Sequence, residues 1–469
     1  MRKPKNKFYE LENVAITALS SEAKGIAKLD GKVIFVDNAL DGDIVNIKAR
    51  KGRKNYDTGE IVSFIEKSSK RIEPYCAHYE FCGGCKIQHL SYENQLEWKT
   101  QVLKDALERI GKVDYPEITP ILGCEETRFY RNKLDYAASN SRWLTVAEIN
   151  DKDTPIDRNG IGFHKAGMFD KVIDIDTCFH MPEPANAIKN FIRKTAKEIS
   201  LPFFDIRKQE GNLRNIMIRN TSIGEWMVCI SFFEWNDTAQ ELMQRIKNEF
   251  PSITALLYTE NSKGNDTIYD LDIQVFMGRE YIVEHLNTLK FKVGPKSFFQ
   301  TNSKQCVKLY ETVNEMAGFQ GDELLYDLYC GVGSIGIFMS QSVKKVVGIE
   351  LVEAAIEDAY ENVAMNEIQN CEFYASDMRA LFNKDFIKKH GKPDVIITDP
   401  PRAGMHPDVI EQLLDLECNK IVYVSCNPHT LANELNQLCE KYVITKIRPV
   451  DMFPQTLHLE TIAVLELKK

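Results

Sequence analysis

The stretch Lys420-Ile-Val-Tyr-Val-Ser-Cys-Asn-Pro-His429 decides how the chain is read. Ile421 to Val424 form the β-branched and aromatic run of a buried strand, and Asn427-Pro428 ends it with turn chemistry. Leu431, Leu435 and Leu438 then recur at helical spacing, so a helix is expected to begin just after Cys426. Cys426 is thereby held at the mouth of a strand, beside a helix start that favours the thiolate, the nucleophilic form of cysteine. An inert buried thiol is the competing reading.

Outward from this stretch, strands and helices alternate from about Asn287 to the C-terminus. LLYDLYCG, KKVVGIEL, CEFYASD and DVIITDPP read as strands preceding KIVYVSCNP, each followed by a helical segment. Such alternation predicts an α/β, Rossmann-like domain over 287–469, with a parallel sheet covered on both faces and ligands at the carboxyl ends of its strands. The glycine-rich, DPPR and strand-end cysteine motifs of this domain all fall at those ends.

The 469 residues suffice for two to four domains, and a hydrophobic content of 43% is ordinary for a globular chain. The start, MRKPKNKFYELENV, lacks the apolar segment of a signal peptide, and no apolar run approaches bilayer length, so a cytoplasmic protein with no membrane partner is expected. Nothing points to an obligate protein partner. Twelve cysteines in such a chain argue for reduced thiols, metal ligation or catalysis rather than a disulfide framework. The net charge of -9 is uneven: residues 1–71 carry 15 Lys+Arg against 10 Asp+Glu, so a basic module leads an acidic body.

That module, residues 1–70, holds short alternating runs (NVAITALS, KVIFVDNAL, DIVNIKAR, TGEIVSFIEK) broken by turns, which predict a small antiparallel barrel. Arg50, Lys51, Arg53 and Lys54 are expected on one loop beside Tyr56, suited to RNA phosphates and to stacking on a base. A central α+β domain, 71–286, follows. It opens on Cys76-Ala-His-Tyr-Glu-Phe-Cys82-Gly-Gly-Cys85, whose three close cysteines point to metal ligation; spacing alone does not choose between zinc and an iron–sulfur cubane. Cys178, in a Pro-bounded loop, is the expected fourth ligand and Cys124 its substitute. Residues 91–110 predict an amphipathic core-packing helix with Leu96, Leu103, Leu107 and Ile110 on one side. RFYRNKLDYAAS and NLRNIMIRN read as basic strands, either a solvated sheet face or a substrate contact.

Gly331-Val-Gly333-Ser-Ile-Gly336 follows a strand, and Glu350 lies 19 residues beyond Gly331 at the end of the next. This pattern suits a dinucleotide, but equally S-adenosylmethionine, whose adenosine needs the same tight turn and hydroxyl acceptor. Asp399-Pro400-Pro401-Arg402, closing the fourth strand and followed by a strand-end cysteine, favours the methyl donor.

In this order, C-x5-C-x2-C, DLYCGVGS, IEL, DPPRAG, VSCNP and FPQTLHLET resemble the RNA uracil-5-methyltransferases, specifically the iron–sulfur-containing 23S ribosomal RNA branch. The resemblance covers most of the chain and implies a TRAM/OB-like RNA-binding barrel, a cluster-bearing centre and a class I methyltransferase domain. It implies Cys426 as nucleophile and Glu460 as the base, with Gln300, Tyr329, Ser334, Glu350, Asp377 and Asp399 at the S-adenosylmethionine positions. It further makes Cys76, Cys82, Cys85 and Cys178 the ligands of a [4Fe-4S] cluster, in preference to zinc. Ser334 and Asp377 stand where the family pattern has Asn, and DPPR replaces DPAR.

The implied chemistry joins Cys426 to carbon 6 of uracil, which makes carbon 5 nucleophilic; after methylation Glu460 removes the carbon 5 proton and the cysteine leaves. His458 is the rival base, and Arg402 is a candidate donor to the enolate oxygen. The same chemistry on transfer RNA, a cluster-dependent redox enzyme acting on RNA, and a non-catalytic RNA-binding factor are the alternatives.

Overall fold

The computed structural model describes residues 8–469 apart from Asp30, Lys54 and Phe382. Residues 1–7 of the expected first domain, and Lys54 of the expected basic loop, lie outside the described residues.

Alternating residues of the N-terminal strands turn Val14, Val36, Val45 and Ile47 into a core of their own, while the buried Asp57 is paired with Lys32 and Tyr9. Six strands result: Phe8–Ala15, Ala18–Leu19, Gly25–Leu29, Lys32–Asp37, Ile44–Arg53 and Tyr56–Glu66. The expected all-antiparallel pairing is corrected at one place. Lys32–Asp37 runs parallel to Tyr56–Glu66, on the edge of that strand left free by its antiparallel hairpin partner Ile44–Arg53. Arg50 and Lys51 lie on a strand rather than a loop, each 5.9 Å from a ring centroid, Phe8 and Tyr9 respectively.

The central sheet has seven strands, with Lys133–Ser139 and Leu213–Asn220 adjacent in it. Contrary to the expectation of a solvated face or a substrate contact, the basic side chains of the second are buried and engaged. Arg214 donates to the carbonyls of Asn261, Lys263 and Asn265 and pairs with Asp266; Arg219 donates to those of Gly294 and Ser297. Both are buried, so their charge is spent on fixing loops. The expected boundary at 286/287 falls in the turn of the hairpin Ile282–Leu286/Leu289–Val293.

The C-terminal sheet contains β1 (Leu324–Leu328), β2 (Lys345–Glu350), β3 (Cys371–Ala375), β4 (Val395–Thr398), β5 (Lys420–Ser425), β6 (Tyr442–Val450) and β7 (Glu460–Leu467). Their order is β3-β2-β1-β4-β5-β7-β6, with β7 antiparallel to both neighbours. Apolar clusters cover both faces. The helix Tyr92–Ala106 packs on one of them through Leu103, beside the helix Pro428–Leu438. It continues as a π-helical turn, Leu107–Gly111. The extra residue per turn shifts the helical phase, so Leu107 is buried while Ile110, expected on the same side, is 45% exposed.

Candidate active site

Local sequence puts Cys426 where the pattern expects it. Buried β5 ends at Ser425, and Asn427 caps the following helix by accepting from the His429 N–H at 3.1 Å. The turn carrying Asp399 and Arg402 is tied to this point, since the Asn427 amide and the Thr430 hydroxyl both donate to the Arg402 carbonyl. The antiparallel register of β7 does the rest. Thr461 lies opposite Ser425, so Glu460 starts its strand at the edge where β5 ends. Residues 34 positions apart in the chain thus meet at one sheet edge.

The electrostatics of this edge correct one expectation. The helix start does not favour a thiolate at Cys426. Burial, followed by the Glu460 and Asp399 carboxylates, pushes the thiol up to about 11, against which Arg402 works. The cap residue satisfies its own helix end, while two acids face the sulfur. Glu460 is itself raised, first by burial and then by Asp399, and Asp399 is raised by burial. Burial and the charge of the other acid thus both favour the protonated form of Glu460. His458 is lowered to about 4, by loss of solvation and then by Arg402, Lys99 and Arg131, and lines the cavity of the cysteine loop.

These shifts fix a pH response. Alkylation of Cys426 by iodoacetamide, followed peptide by peptide by mass spectrometry, is expected to rise about tenfold per pH unit from 7 to 10 without a plateau, whereas an ordinary thiol near 8.5 levels off there. Glu460→Gln removes a negative charge at high pH and is expected to raise the rate at pH 10. A plateau at pH 9 in the wild type contradicts the assignment.

The six residues expected around the methyl donor are all half-buried: Tyr329, Glu350, Asp377 and Asp399 lie at or just after the ends of β1 to β4, Ser334 opens the helix Ser334–Met339, and Gln300 lies in the loop before the helix Ser303–Ala317. The Glu350 carboxylate ends β2 and accepts from the backbone N–H groups of Gly331, Leu351 and Val352 at 3.2, 2.8 and 3.0 Å. Gly331 has φ +54 and a Cβ there would meet nothing within 4 Å, so the glycine leaves an open cradle beside that carboxylate. Such a cradle fits the adenosine and sulfonium of S-adenosylmethionine. Tyr329 also adopts a left-handed conformation, φ +63, just before it. Asp399 directly follows β4 and donates its N–H to the Leu328 carbonyl. The Gln300 carbonyl accepts from the Asn132 amide at 3.0 Å. Ser334 and Asp377, the departures from the family pattern, are both engaged: Ser334 Oγ lies 2.8 Å from the Tyr310 hydroxyl, and Asp377 pairs with Arg379.

Sequence reasoning missed what holds Glu460 in place. The segment 451–459 leading into β7 is braced by the helix Tyr92–Ala106. Lys99 Nζ donates to Asp451 Oδ1 at 2.6 Å and to the Phe453 carbonyl at 3.2 Å, and the Tyr92 hydroxyl donates to Asp451 Oδ2 at 2.9 Å. Gln95 and Gln455 exchange two hydrogen bonds, 2.9 and 3.1 Å. The cysteine loop joins the same segment through the N–H groups of Lys86 and Ile87, both donating to the Gln455 carbonyl. No spacing rule could have found partners more than 350 residues apart.

Cys76, Cys82, Cys85 and Cys178 all line one cavity of about 340 Å³. Cys124 does not; its thiol donates to the Asp451 carbonyl at 3.0 Å. Burial pushes the Cys85 thiol up to about 12 and that of Cys178 up to about 11. His180 Nε2 lies 2.9 Å from Cys85 Sγ, while its buried Nδ1 has no partner. Among the described residues no three His, Cys, Asp or Glu side chains converge on a point suited to a single ion. Tetrahedral zinc at about 2.3 Å from each sulfur would need that convergence. The four cysteines share the lining of this cavity, as thiolate ligands of a common group would, but the described residues show no formed metal site.

Comparison with known proteins agrees with this architecture. The tRNA (uracil-5-)-methyltransferase family model matches residues 234–468, and the TRAM domain model residues 10–62. The chain is 48% identical over 455 residues to an uncharacterized RNA methyltransferase of Bacteroides thetaiotaomicron, covering 96% of this chain and 100% of that one. It is also 48% identical over 458 residues to one of Porphyromonas gingivalis, covering 96% and 98%. The solved Pyrococcus abyssi tRNA (uracil-54, C5)-methyltransferase in complex with S-adenosyl-L-homocysteine superimposes with a TM-score of 0.75 at 30% identity, covering 97% of this chain and 100% of that one. No helix among the described residues is long and apolar enough to cross a membrane. With an α/β transferase domain, a strand-built N-terminal module and this similarity over its whole length, the chain belongs to the uracil-5-methyltransferase family of S-adenosylmethionine-dependent RNA methyltransferases and carries a TRAM domain.

Proposed function

We propose that the protein methylates carbon 5 of a uridine in 23S ribosomal RNA, in the cytoplasm and without an obligate protein partner. The observation that carries this reading is the register of β5 and β7, which brings Cys426 and Glu460 to one sheet edge where their charges act on each other. Carbon 5 of uracil is a poor nucleophile; once the Cys426 thiol has given its proton to solvent, Sγ bonds to carbon 6 and the carbon 5–carbon 6 π pair shifts into an enolate, with Arg402 as the cation beside it. S-Adenosylmethionine supplies an electrophilic methyl group. Gln300, Tyr329, Ser334, Glu350, Asp377 and Asp399 hold and orient that donor. Glu460, with its raised affinity for a proton, then takes the carbon 5 proton, and Cys426 leaves by elimination.

For this task the chain divides into an RNA-binding barrel (1–70), a central region (71–286) and the transferase (287–469). In the central region Cys76, Cys82, Cys85 and Cys178 hold a [4Fe-4S] cluster. The methylation has no redox step, so this part of the chain serves as a staple or an RNA-recognition element, and its bonds to Gln455 tie it to the segment bearing the base.

Mapping 5-methyluridine in ribosomal and transfer RNA from strains with and without the protein tests the proposal. Loss of one or two sites in 23S RNA is the expected result. The transfer RNA reading is favoured by the Pyrococcus abyssi enzyme, which acts on uracil 54 of tRNA. Loss confined to transfer RNA would establish it instead, and unchanged 5-methyluridine in both RNAs would end the uracil assignment.

A further inference from the structure

The segment Arg128-Phe129-Tyr130-Arg131 runs beside the cysteine loop with alternating side chains. Tyr130 turns inward and donates its hydroxyl to the Pro454 carbonyl at 2.9 Å. Phe129 turns outward, 44% exposed, with φ +56. An aromatic residue in the left-handed region is uncommon and unfavourable, and here burial does not compensate it. What fixes it is the backbone: the Phe129 and Arg131 N–H groups donate to the Phe179 and His180 carbonyls, both at 2.7 Å. Phe129 is thereby set against Phe179, with ring centroids 6.0 Å apart, and Phe179 in turn meets Tyr75 edge-on at 5.3 Å. The exposed Arg128 guanidinium sits 3.7 Å over the Tyr75 ring.

A further arginine next to this cluster reaches the segment that leads into β7. Arg131 lies 5.7 Å from the Phe453 ring centroid and, with Arg402, acts on His458; Arg402 also acts on Cys426. One exposed ring backed by two half-buried ones, with arginines alongside, matches an unpaired strand, whose bases offer flat π-faces and whose phosphates take the guanidinium groups. The base to be modified must itself be drawn out of its stack, which leaves its neighbours unstacked as well.

We propose that Phe129, Phe179 and the Tyr75–Arg128 pair form a stacking platform for a nucleobase flanking the target uridine; this rests on the uridine reading of the Cys426 site. The chemistry recognised is an unpaired nucleobase in single-stranded RNA, of any sequence at that position.

The test uses the full chain and a 12-nucleotide single-stranded RNA with one uridine, carrying 2-aminopurine at each flanking position in turn. Wild type and Phe129→Trp are expected to quench the probe at one flanking position. Phe129→Gly relieves the left-handed strain, so it spares the fold, and is expected to lose that quench and bind roughly tenfold more weakly. Phe129→Gly with unchanged affinity and quench overturns the platform. Trapping of Cys426 on the same RNA bearing 5-fluorouridine, with S-adenosylmethionine, separates the two readings. Trapping without any Phe129 dependence removes the platform alone. A Phe129-dependent quench without trapping removes the uridine chemistry and leaves the base site standing.

Discussion

Glu460→Gln is expected to stall on RNA with Cys426 covalently attached, as a complex that survives denaturing electrophoresis, while product release falls by about 10² to 10⁴-fold. Glutamine keeps the shape of the side chain and its place at the start of β7, but it cannot accept a proton. The steps that precede proton removal need Cys426 and the methyl donor, and both remain. Removing the Glu460 charge also relieves one of the influences that hold the Cys426 thiol up at about 11, so adduct formation is not slowed by the substitution. Cys426→Ala, by contrast, forms no adduct and no product, a loss on the order of 10⁴-fold or more, as when a nucleophile is removed outright. The pair of variants therefore dissects one reaction into its two halves. If His458 were the base, His458→Gln would trap the adduct and Glu460→Gln would turn over, and that pattern would remove the Glu460 assignment. The pH profile follows with the same sign: burial and Asp399 raise Glu460, so its conjugate base is scarce in acid and turnover is expected to climb as pH rises through the neutral range.

What the sequence disclosed and what it hid divide along the range of the interactions. Ile421 to Val424, the turn at Asn427-Pro428 and the leucines after it are neighbours in the chain, and their periodicities placed Cys426 at a strand end without any tertiary knowledge. Glu460 was legible only through the motif FPQTLHLET, because the fact that matters, Thr461 opposite Ser425, is a register. The charge state of Cys426 is hidden for the same reason. A helix start is visible locally, whereas the burial of the sulfur, and after it the charges of Glu460 and Asp399 arriving from β7 and β4, depend on the fold. Arg214 and Arg219 looked like a basic face because strand periodicity says which side a residue takes and nothing about what covers that side. Phe129 carried a weak signal, an aromatic residue between Arg128 and Tyr130-Arg131, but its left-handed backbone depends on Phe179 and His180, some 50 residues on.

The brace behind Glu460 carries the largest expected effect on stability. Lys99 and Asp451 are 1% and 0% exposed in their side chains, and the ion pair between them is satisfied further by the Tyr92 hydroxyl and the Phe453 carbonyl. Such a pair adds little over an apolar one, because both charges were taken out of water to make it, but removing one partner strands the other. Lys99→Met is therefore expected to cost about 3–5 kcal/mol and to lower the melting temperature of the transferase unit by about 10 °C in calorimetry. Lys99→Met combined with Asp451→Asn leaves no charge stranded and keeps an acceptor for Tyr92, so it is expected to recover most of that loss. The functional consequence differs from the thermal one. The segment 451–459 hangs from Lys99 and Gln95 on one side and enters β7 at Glu460 on the other, so a loosened brace misplaces the base while leaving the RNA surface intact. Gln95→Leu, which breaks the exchange with Gln455 without stranding a charge, is accordingly expected to lower kcat several-fold with KM for RNA unchanged, and to build up the Cys426 adduct as Glu460→Gln does. A rise in KM alone, or full turnover with no adduct, would mean that the helix Tyr92–Ala106 holds the domain together and does nothing for the proton transfer.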